Sequence, residues 1–244
     1  MRDWKAINCD EKGPTFFELV KQSLSSTQEG YDLIASKFDN TPYCTSDEVL
    51  NVMSQQLSEW KPIDLALDIC CGTGAMTETV LPYCQSRMVG YDLSRGMMSV
   101  ASEKLKNSAK KCELYFVQGK LMELPFAEEF DLVTNFGGLG HVLKSEEREY
   151  LTGIKKILKP GGSYVFITAD YPSSLSSRFW RAKLFNMAIH VRNVLIKPPF
   201  LMYYLTFCLP EVKYLLEDIG FQVEIRKGLF SEPFEDYQMV VARK

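Results

Sequence analysis

The chain is predicted to fold as an α/β protein with a doubly wound, mostly parallel sheet. Three observations predict it. From residue 64 onward, short apolar runs alternate with helical patterns. The first run, Leu65 to Ile69, ends in a glycine turn, CCGTG, that opens a helix. The second run ends at Asp92, roughly 20 residues past the first glycine, the offset at which an acid can bond both hydroxyls of a ribose. Alternation of this kind implies parallel strands with helices on both faces.

Each element follows from local pattern. Residues 1–14 read as a loose lead without an apolar signal core. Phe16 to Leu24 and Gln28 to Phe38 read as helices, the second placing Tyr31, Ile34, Ala35 and Phe38 on one face. Thr41-Pro42 breaks it, and Ser46 can cap a third helix through Leu57. Strands are expected near 64–70, 87–92, 112–118, 130–136 and 162–168, with helices near 75–83, 95–108 and 146–158. Lys159-Pro160-Gly161-Gly162 should stop the last helix before the fifth strand. Glu211 to Ile219 reads as a helix closed by Gly220, and residues 221–225 and 237–242 read as a late pair of strands.

Composition limits the function. The chain is 46% hydrophobic with a net charge of −3, so it can bury a sizeable core and has no overall attraction for nucleic acid. Seven cysteines are scattered without C-x-x-C or Cys/His clustering, which argues against a disulfide framework and structural zinc and for a reducing, cytoplasmic compartment. No metal site and no nucleic-acid partner are expected. No run approaches the roughly 20 apolar residues of a membrane span.

Ligands on open α/β sheets bind beyond the carboxyl ends of the strands. Those ends present residues 68–74, Asp92, residues 118–121, residues 135–141 and residues 168–171. Gly72 and Gly74 let the backbone turn sharply and approach a ligand closely. Two nucleoside cofactors compete for such a site. A dinucleotide wants G-x-G-x-x-G, but Thr77 stands at the third position. Asp68 would repel a pyrophosphate and suit an ammonium or sulfonium, which points to S-adenosylmethionine. NAD stays open as the alternative on this segment.

LALDICCGTG, VGYDLSRGMM, FVQGKLMELPF, FDLVTNFGGLGHV, ILKPGGSYVFI and EDIGF, in this order, resemble a known family. It is that of the class I S-adenosylmethionine-dependent methyltransferases, in the subgroup of ubiquinone/menaquinone-biosynthesis and sterol-type enzymes. YDLIASKFD resembles a segment those enzymes place before the fold. The resemblance covers roughly residues 30–170 and 211–244. It implies a Rossmann-like seven-stranded sheet closed by one late antiparallel strand, in a single domain. That domain comprises a helical lead (1–60), a cofactor-binding core (61–170), a cap inserted after strand five (171–210) and a C-terminal helix with strands (211–244).

Carried over by position, the resemblance implies that the backbone from Ile69 and Cys70 to Gly72 and Gly74 wraps the methionyl part. Asp68 would order its ammonium side and Asp92 would bond the ribose. Leu93 and Met97 would flank the adenine, Leu121 and Met122 would border its edge, and Asn135 and Phe136 would lie near the sulfonium. Two positions depart from the family: Cys70 replaces a glycine, and Lys120 replaces an acid that bonds the adenine amino group.

Residues 171–210 are far longer than a usual connection and contain no Asp or Glu. They carry Arg178, Arg181, Lys183, Arg192 and Lys197 among large apolar residues. The stretch reads as a helical lid with solvated charges. A cationic, apolar cap for a hydrophobic or anionic small-molecule substrate, with possible peripheral membrane contact, is the sharper reading. Nucleic-acid binding is a minor alternative for this stretch.

Methyl transfer needs positioning above all, and a base only if the acceptor must lose a proton. His141 is the candidate base, with Asp170 second. Against these stand a histidine that only shapes the turn and an aspartate that only caps one. Tyr31, Tyr43, His141, Tyr171 and Trp180 are candidate pocket residues, with packing the plainer role for the two lead tyrosines. His190 is read as locally satisfied, and Cys70-Cys71 as small packing residues rather than a thiol site. A protein that binds the cofactor without turnover is the reading from another class.

Overall fold

A computed structural model describes residues 13–60, 62–108 and 111–244. Most of the expected loose lead, residues 1–12, lies outside the described residues. Seven strands form one sheet: β1 (Ile63–Ile69), β2 (Cys84–Asp92), β3 (Glu113–Gln118), β4 (Phe130–Asn135), β5 (Leu158–Ala169), β6 (Gln222–Arg226) and β7 (Tyr237–Arg243). Their order is β3-β2-β1-β4-β5-β7-β6. Strands β1 to β5 pair in parallel, and β7 runs antiparallel to both β5 and β6. The expected Rossmann-like architecture with one late antiparallel strand is therefore the observed one. The strand order reverses between β1 and β4, which opens a crevice at their carboxyl ends.

Period-two alternation splits the strands between two cores. Leu67, Ile69 and Val240 face one core, under α6 (Glu147–Ile157) and α8 (Glu211–Asp218). Ala66, Met239 and Val241 face the other, under α3 (Asp47–Ser58) and α4 (Ala75–Val80). Burial of both faces explains why the strands read as continuous apolar runs.

Two boundaries differ from expectation. Strand β5 begins at Leu158, which pairs with Phe130, so Lys159 to Gly162 lie inside the strand. The extra residues are absorbed by a register shift, with Gly161 at φ 80° bonding the carbonyl of Lys244. The second helix of the lead, α2 (Thr27–Ile34), passes into a 3₁₀ turn over Ala35–Asn40 rather than continuing as α-helix. That turn carries Asp39 to the hydroxyl of Thr73 in the glycine loop.

The lead also includes α1 (Phe16–Leu24), and it docks on α5 (Arg95–Leu105). Asp32 accepts from the Ser94 hydroxyl at 2.6 Å and from the Gly96 amide at 2.7 Å, while Ser94 caps α5 through the Met97 amide. After β5 the chain forms the long helix α7 (Ser177–Leu195), capped by Ser176, then returns as an extended segment to Pro210. Asn193 ties that return to the helix, bonding both the amide and the carbonyl of Phe200. Among the described residues, no helix is long and apolar enough to cross a membrane.

Candidate active site

The crevice is built around the turn from β1 to α4. Gly72 and Gly74 both have positive φ, 53° and 84°. A Cβ on Gly74 would lie 3.0 Å from the Ala101 Cβ, so only glycine lets α5 pack this close. A Cβ on Gly72 would meet nothing within 4 Å, nor would one on Gly137 at the exit of β4. The backbone is thus open on the side where a ligand would lie. Cys70 shares the left-handed conformation at φ 55°, which a glycine would adopt without strain. Its side chain fills the space over Gly138, where an added Cβ would come within 2.5 Å of the Cys70 Sγ. Burial pushes the Cys70 and Cys71 thiols well above their ordinary pKa, so both stay protonated packing groups.

Asp92 ends β2 beside this loop. One carboxylate oxygen accepts from the Gly72 amide at 2.9 Å and the other from the Ser94 amide at 2.8 Å. Burial raises its pKa, while those two N–H bonds and the nearby His141 pull it down. A carboxylate has about four lone-pair sites, so two remain for hydroxyl donors.

Asp68 is placed differently from the ammonium-facing position implied for it. It is 1% exposed, and its oxygens accept from the hydroxyls of Thr77 at 2.7 Å and Thr134 at 2.9 Å. It acts behind the loop, holding α4 and β4 to β1. Thr77, at the third-glycine position of a dinucleotide site, is one of its partners, which argues against that site.

Asn135 is buried, and its side chain shapes the β4 exit: Oδ1 accepts from the Gly138 amide at 3.0 Å and Nδ2 donates to the Tyr150 hydroxyl at 2.8 Å. This turn presents His141. The His141 Nδ1 lies 2.5 Å from the Leu201 carbonyl, which can only accept, so Nδ1 carries the proton. Nε2 then offers its lone pair to the Tyr31 hydroxyl, 3.2 Å away. Burial lowers the His141 pKa and raises that of Tyr31, keeping both neutral at pH 7. Phe200 stacks on Tyr31, so the returning segment of the cap roofs this pair.

The side chains of the other expected residues are packed into the fold or turned outward. Ile69 is fully buried in the sheet core, and Phe136 is buried on the α3–α4 face. Met97 packs under the lead against Ile34 and Ala35, because α2 covers the start of α5. Leu121 and Met122 pack against the core cluster containing Tyr91, whose hydroxyl holds their loop through the carbonyls of Lys120 and Glu123. The Leu93 carbonyl accepts from Gln118. Lys120 turns outward to Glu123 at 3.0 Å.

Asp170 accepts from Gln238 of β7 at 2.9 Å and bridges to Leu209, a structural tie rather than a position beside His141. Trp180 points outward from α7 and is not a pocket residue, because the inner face of that helix is taken by Ala182, Asn186 and Asn193. Tyr43 is 54% exposed. Tyr171 lines a separate cavity of about 190 Å³ with Lys144, Lys183, Tyr203 and Tyr204. The sequence reading missed Asp32, Asp39 and Thr73, which clamp the lead over the crevice, although the first two lie in the YDLIASKFD segment.

Comparison with known proteins places part of this site within a known likeness. Residues 66–162 match the family model described as "Methyltransferase domain". Over that central stretch the chain resembles a methyltransferase domain. The chain is 42% identical over 115 residues to a demethylmenaquinone methyltransferase of Lactococcus lactis, covering 44% of this chain and 42% of that protein. It is 27% identical over 178 residues to a 2-phytyl-1,4-naphtoquinone methyltransferase of Synechocystis, covering 70% and 74%. For the first relatives, the methyltransferase-like stretch spans about half of their length. The fold matches the solved structure of a DhpI–SAH complex with a TM-score of 0.65 at 16% identity, covering 94% of this chain and 98% of that one. The matched stretch contains the glycine loop, Asp92, Asn135 and His141, while the lead and cap that close over them lie outside residues 66–162.

Proposed function

We propose that the protein transfers a methyl group from S-adenosylmethionine to a small hydrophobic acceptor, with the reacting groups in the crevice between the glycine loop, Asp92 and His141. The observation that carries the reading is the Gly72–Asp92 pair. An open glycine backbone is held beside a carboxylate that keeps acceptor capacity for a sugar diol. Those residues fit the cofactor: nothing lies within 4 Å of a Cβ built on Gly72 or Gly137. When bound, the cofactor supplies an electrophilic methyl that needs no further activation.

The chain's own residues supply alignment, exclusion of water and proton removal. Asp92 orients the sugar, and the peptide groups of residues 70–74 surround the amino-acid end. Tyr31, Phe200 and the returning cap segment keep water from the reacting atoms. The acceptor in this reading is a hydroquinone, the reduced form of the quinone class for which the similar proteins are named. Removing its hydroxyl proton makes the neighbouring ring carbon nucleophilic, and once methylated that carbon loses its own proton to solvent and the ring becomes aromatic again. His141 Nε2 takes the hydroxyl proton once the Tyr31 hydroxyl that now occupies its lone pair turns to the acceptor, and Nδ1–H anchored on Leu201 keeps the imidazole ring in place. Single-domain organisation and a cytoplasmic location belong to the same reading; the described cysteines form no disulfide.

The test is product formation. Purified protein given S-adenosylmethionine and a reduced short-chain naphthoquinol should yield a ring-methylated quinol by mass spectrometry. Binding of cofactor with no product from any quinol or phenol would favour a binding protein without turnover. The buried, hydroxyl-bonded Asp68 and Thr77 do not favour the NAD reading.

A further inference from the structure

The outer face of α7 carries an unpartnered apolar stripe. Trp180, Leu184, Met187, Val191, Val194 and Leu195 are each between 50% and 76% exposed. At 3.6 residues per turn they fall within an arc of about 100°. Isolated exposed apolar residues need no explanation, but a continuous stripe along a 19-residue helix does. On the same helical projection Arg181 borders the stripe on one side, and Lys183 and His190 border it on the other.

A second exposed apolar stripe adjoins it. Phe16, Phe17, Val20 and Leu24 of α1 are exposed among the described residues. Arg192 binds the two helices together, its guanidinium donating to the carbonyls of Ser23 at 2.9 Å and Ser25 at 2.6 Å. Arg192 thus holds the C-terminal end of α1 beside α7.

We infer that the outer face of α7, with α1 beside it, is an interfacial docking surface for an anionic lipid bilayer. The occupant follows from charge. The whole chain is net negative at −3, yet residues 171–210 hold five Lys/Arg and no acid. Arg178 is paired with Asp236 and Arg192 is spent on carbonyls, while Arg181 and Lys197 are exposed and in no ion pair. An apolar stripe flanked by cations is the pattern of a helix lying in the headgroup plane. A second copy of this chain would bring the same cations against one another. The inner side of α7 carries the segment that roofs Tyr31 and His141, so a docked helix sets the crevice roof next to the bilayer. A hydrophobic acceptor would then enter from lipid without crossing water. Only this last step rests on the proposed methyl-transfer function; the docking does not.

The experiment is vesicle co-sedimentation of the full chain. Phosphatidylcholine vesicles are compared with equimolar phosphatidylcholine/phosphatidylglycerol vesicles, at low and high salt, for wild type and Leu184→Asp/Val191→Asp. Both substituted side chains are exposed, so folding should persist, checked by an unchanged melting temperature. The inference expects binding to anionic vesicles that weakens with salt. The double variant should bind about a hundredfold less, each buried aliphatic chain being worth roughly a factor of ten or more. Absence of binding to anionic vesicles would overturn it. So would a concentration-dependent dimer that the double substitution dissolves, because the stripe would then belong to a second copy. Cofactor binding measured on the same protein reads the methyl-transfer proposal separately.

Discussion

The Thr77 hydroxyl donates a 2.7 Å hydrogen bond to Oδ2 of Asp68, joining the start of α4 to the end of β1. These are the two residues by which the glycine turn departs from a dinucleotide site, and they are one contact. Asp68 is buried, and burial raises its pKa from 3.8 to about 7, against the lowering effect of the Thr77 and Thr134 hydroxyls. A carboxyl whose folded pKa is raised is protonated in the fold while the unfolded chain has already lost its proton. Its contribution to stability therefore falls as pH rises from about 4 to about 7. Asp68→Asn keeps the shape without the charge, so its melting temperature should vary less across that window than that of wild type. Thr77→Val leaves one buried oxygen unpaired and should cost about 1–3 kcal/mol in chemical denaturation at neutral pH.

Cys70 and Gly138 should behave as a coupled pair. Left-handed φ costs a residue with a Cβ roughly 1–2 kcal/mol, so Cys70→Gly removes strain and should be nearly neutral despite the lost packing. Gly138→Ala drives a methyl into the Cys70 side chain and should destabilise strongly. Combining the two should recover part of the loss, a non-additivity measurable by a double-mutant cycle in urea. Simple additivity would show that the clash lies elsewhere.

His141 should set the acid limb of the rate. Its pKa is lowered by burial, so the neutral base persists below the ordinary 6.5 and turnover should fall only at more acidic pH. The same shift makes the fold lose stability as pH drops below 6.5, where the unfolded chain gains the proton first. His141→Ala should lower kcat about 10²–10⁴-fold with little change in cofactor affinity, the range for a lost general base. Tyr31→Phe keeps the base and removes only its hydroxyl partner, so its effect should be smaller. Equal losses in the two variants would show that the Tyr31–His141 hydrogen bond matters as a unit and would contradict His141 acting as base alone.

Asp32 links the lead to the crevice. Asp32→Ala removes two bonds to a carboxylate at the start of α5, each worth about 1.5–3 kcal/mol. Limited proteolysis should then cut between α2 and α3 faster than in wild type, and cofactor binding should weaken without a change in the sheet's circular dichroism.

The sheet was readable because its signals are local. Ile63–Ile69 and Phe130–Asn135 are centred on short apolar stretches, Leu65 to Leu67 and Leu132 to Val133, that burial keeps apolar. The start of β5 was not, because Leu158 joins the sheet through Phe130, and the glycines after it look like a stop signal until their partner at Lys244 is known. In the site, Gly72, Asp92 and His141 stood out through residue type and spacing. Met97 did not reveal that the lead would cover it, and Asp32, Asp39 and Leu201 act through contacts far apart in sequence. Trp180 was read as a pocket residue because its type suits one. Only the helix's packing decides that it faces outward.

The central claim is that Asp92 and the open glycine turn hold an adenosine cofactor. Isothermal titration of S-adenosylhomocysteine into wild type and Asp92→Ala tests it most directly. The account predicts saturable binding by the wild type and at least about a tenfold loss in the variant, the cost of removing a charged hydrogen-bond acceptor, with an unchanged circular dichroism spectrum of Asp92→Ala as the folding control. Absence of heat from the wild type at millimolar ligand, or equal affinity in the two proteins, would contradict it.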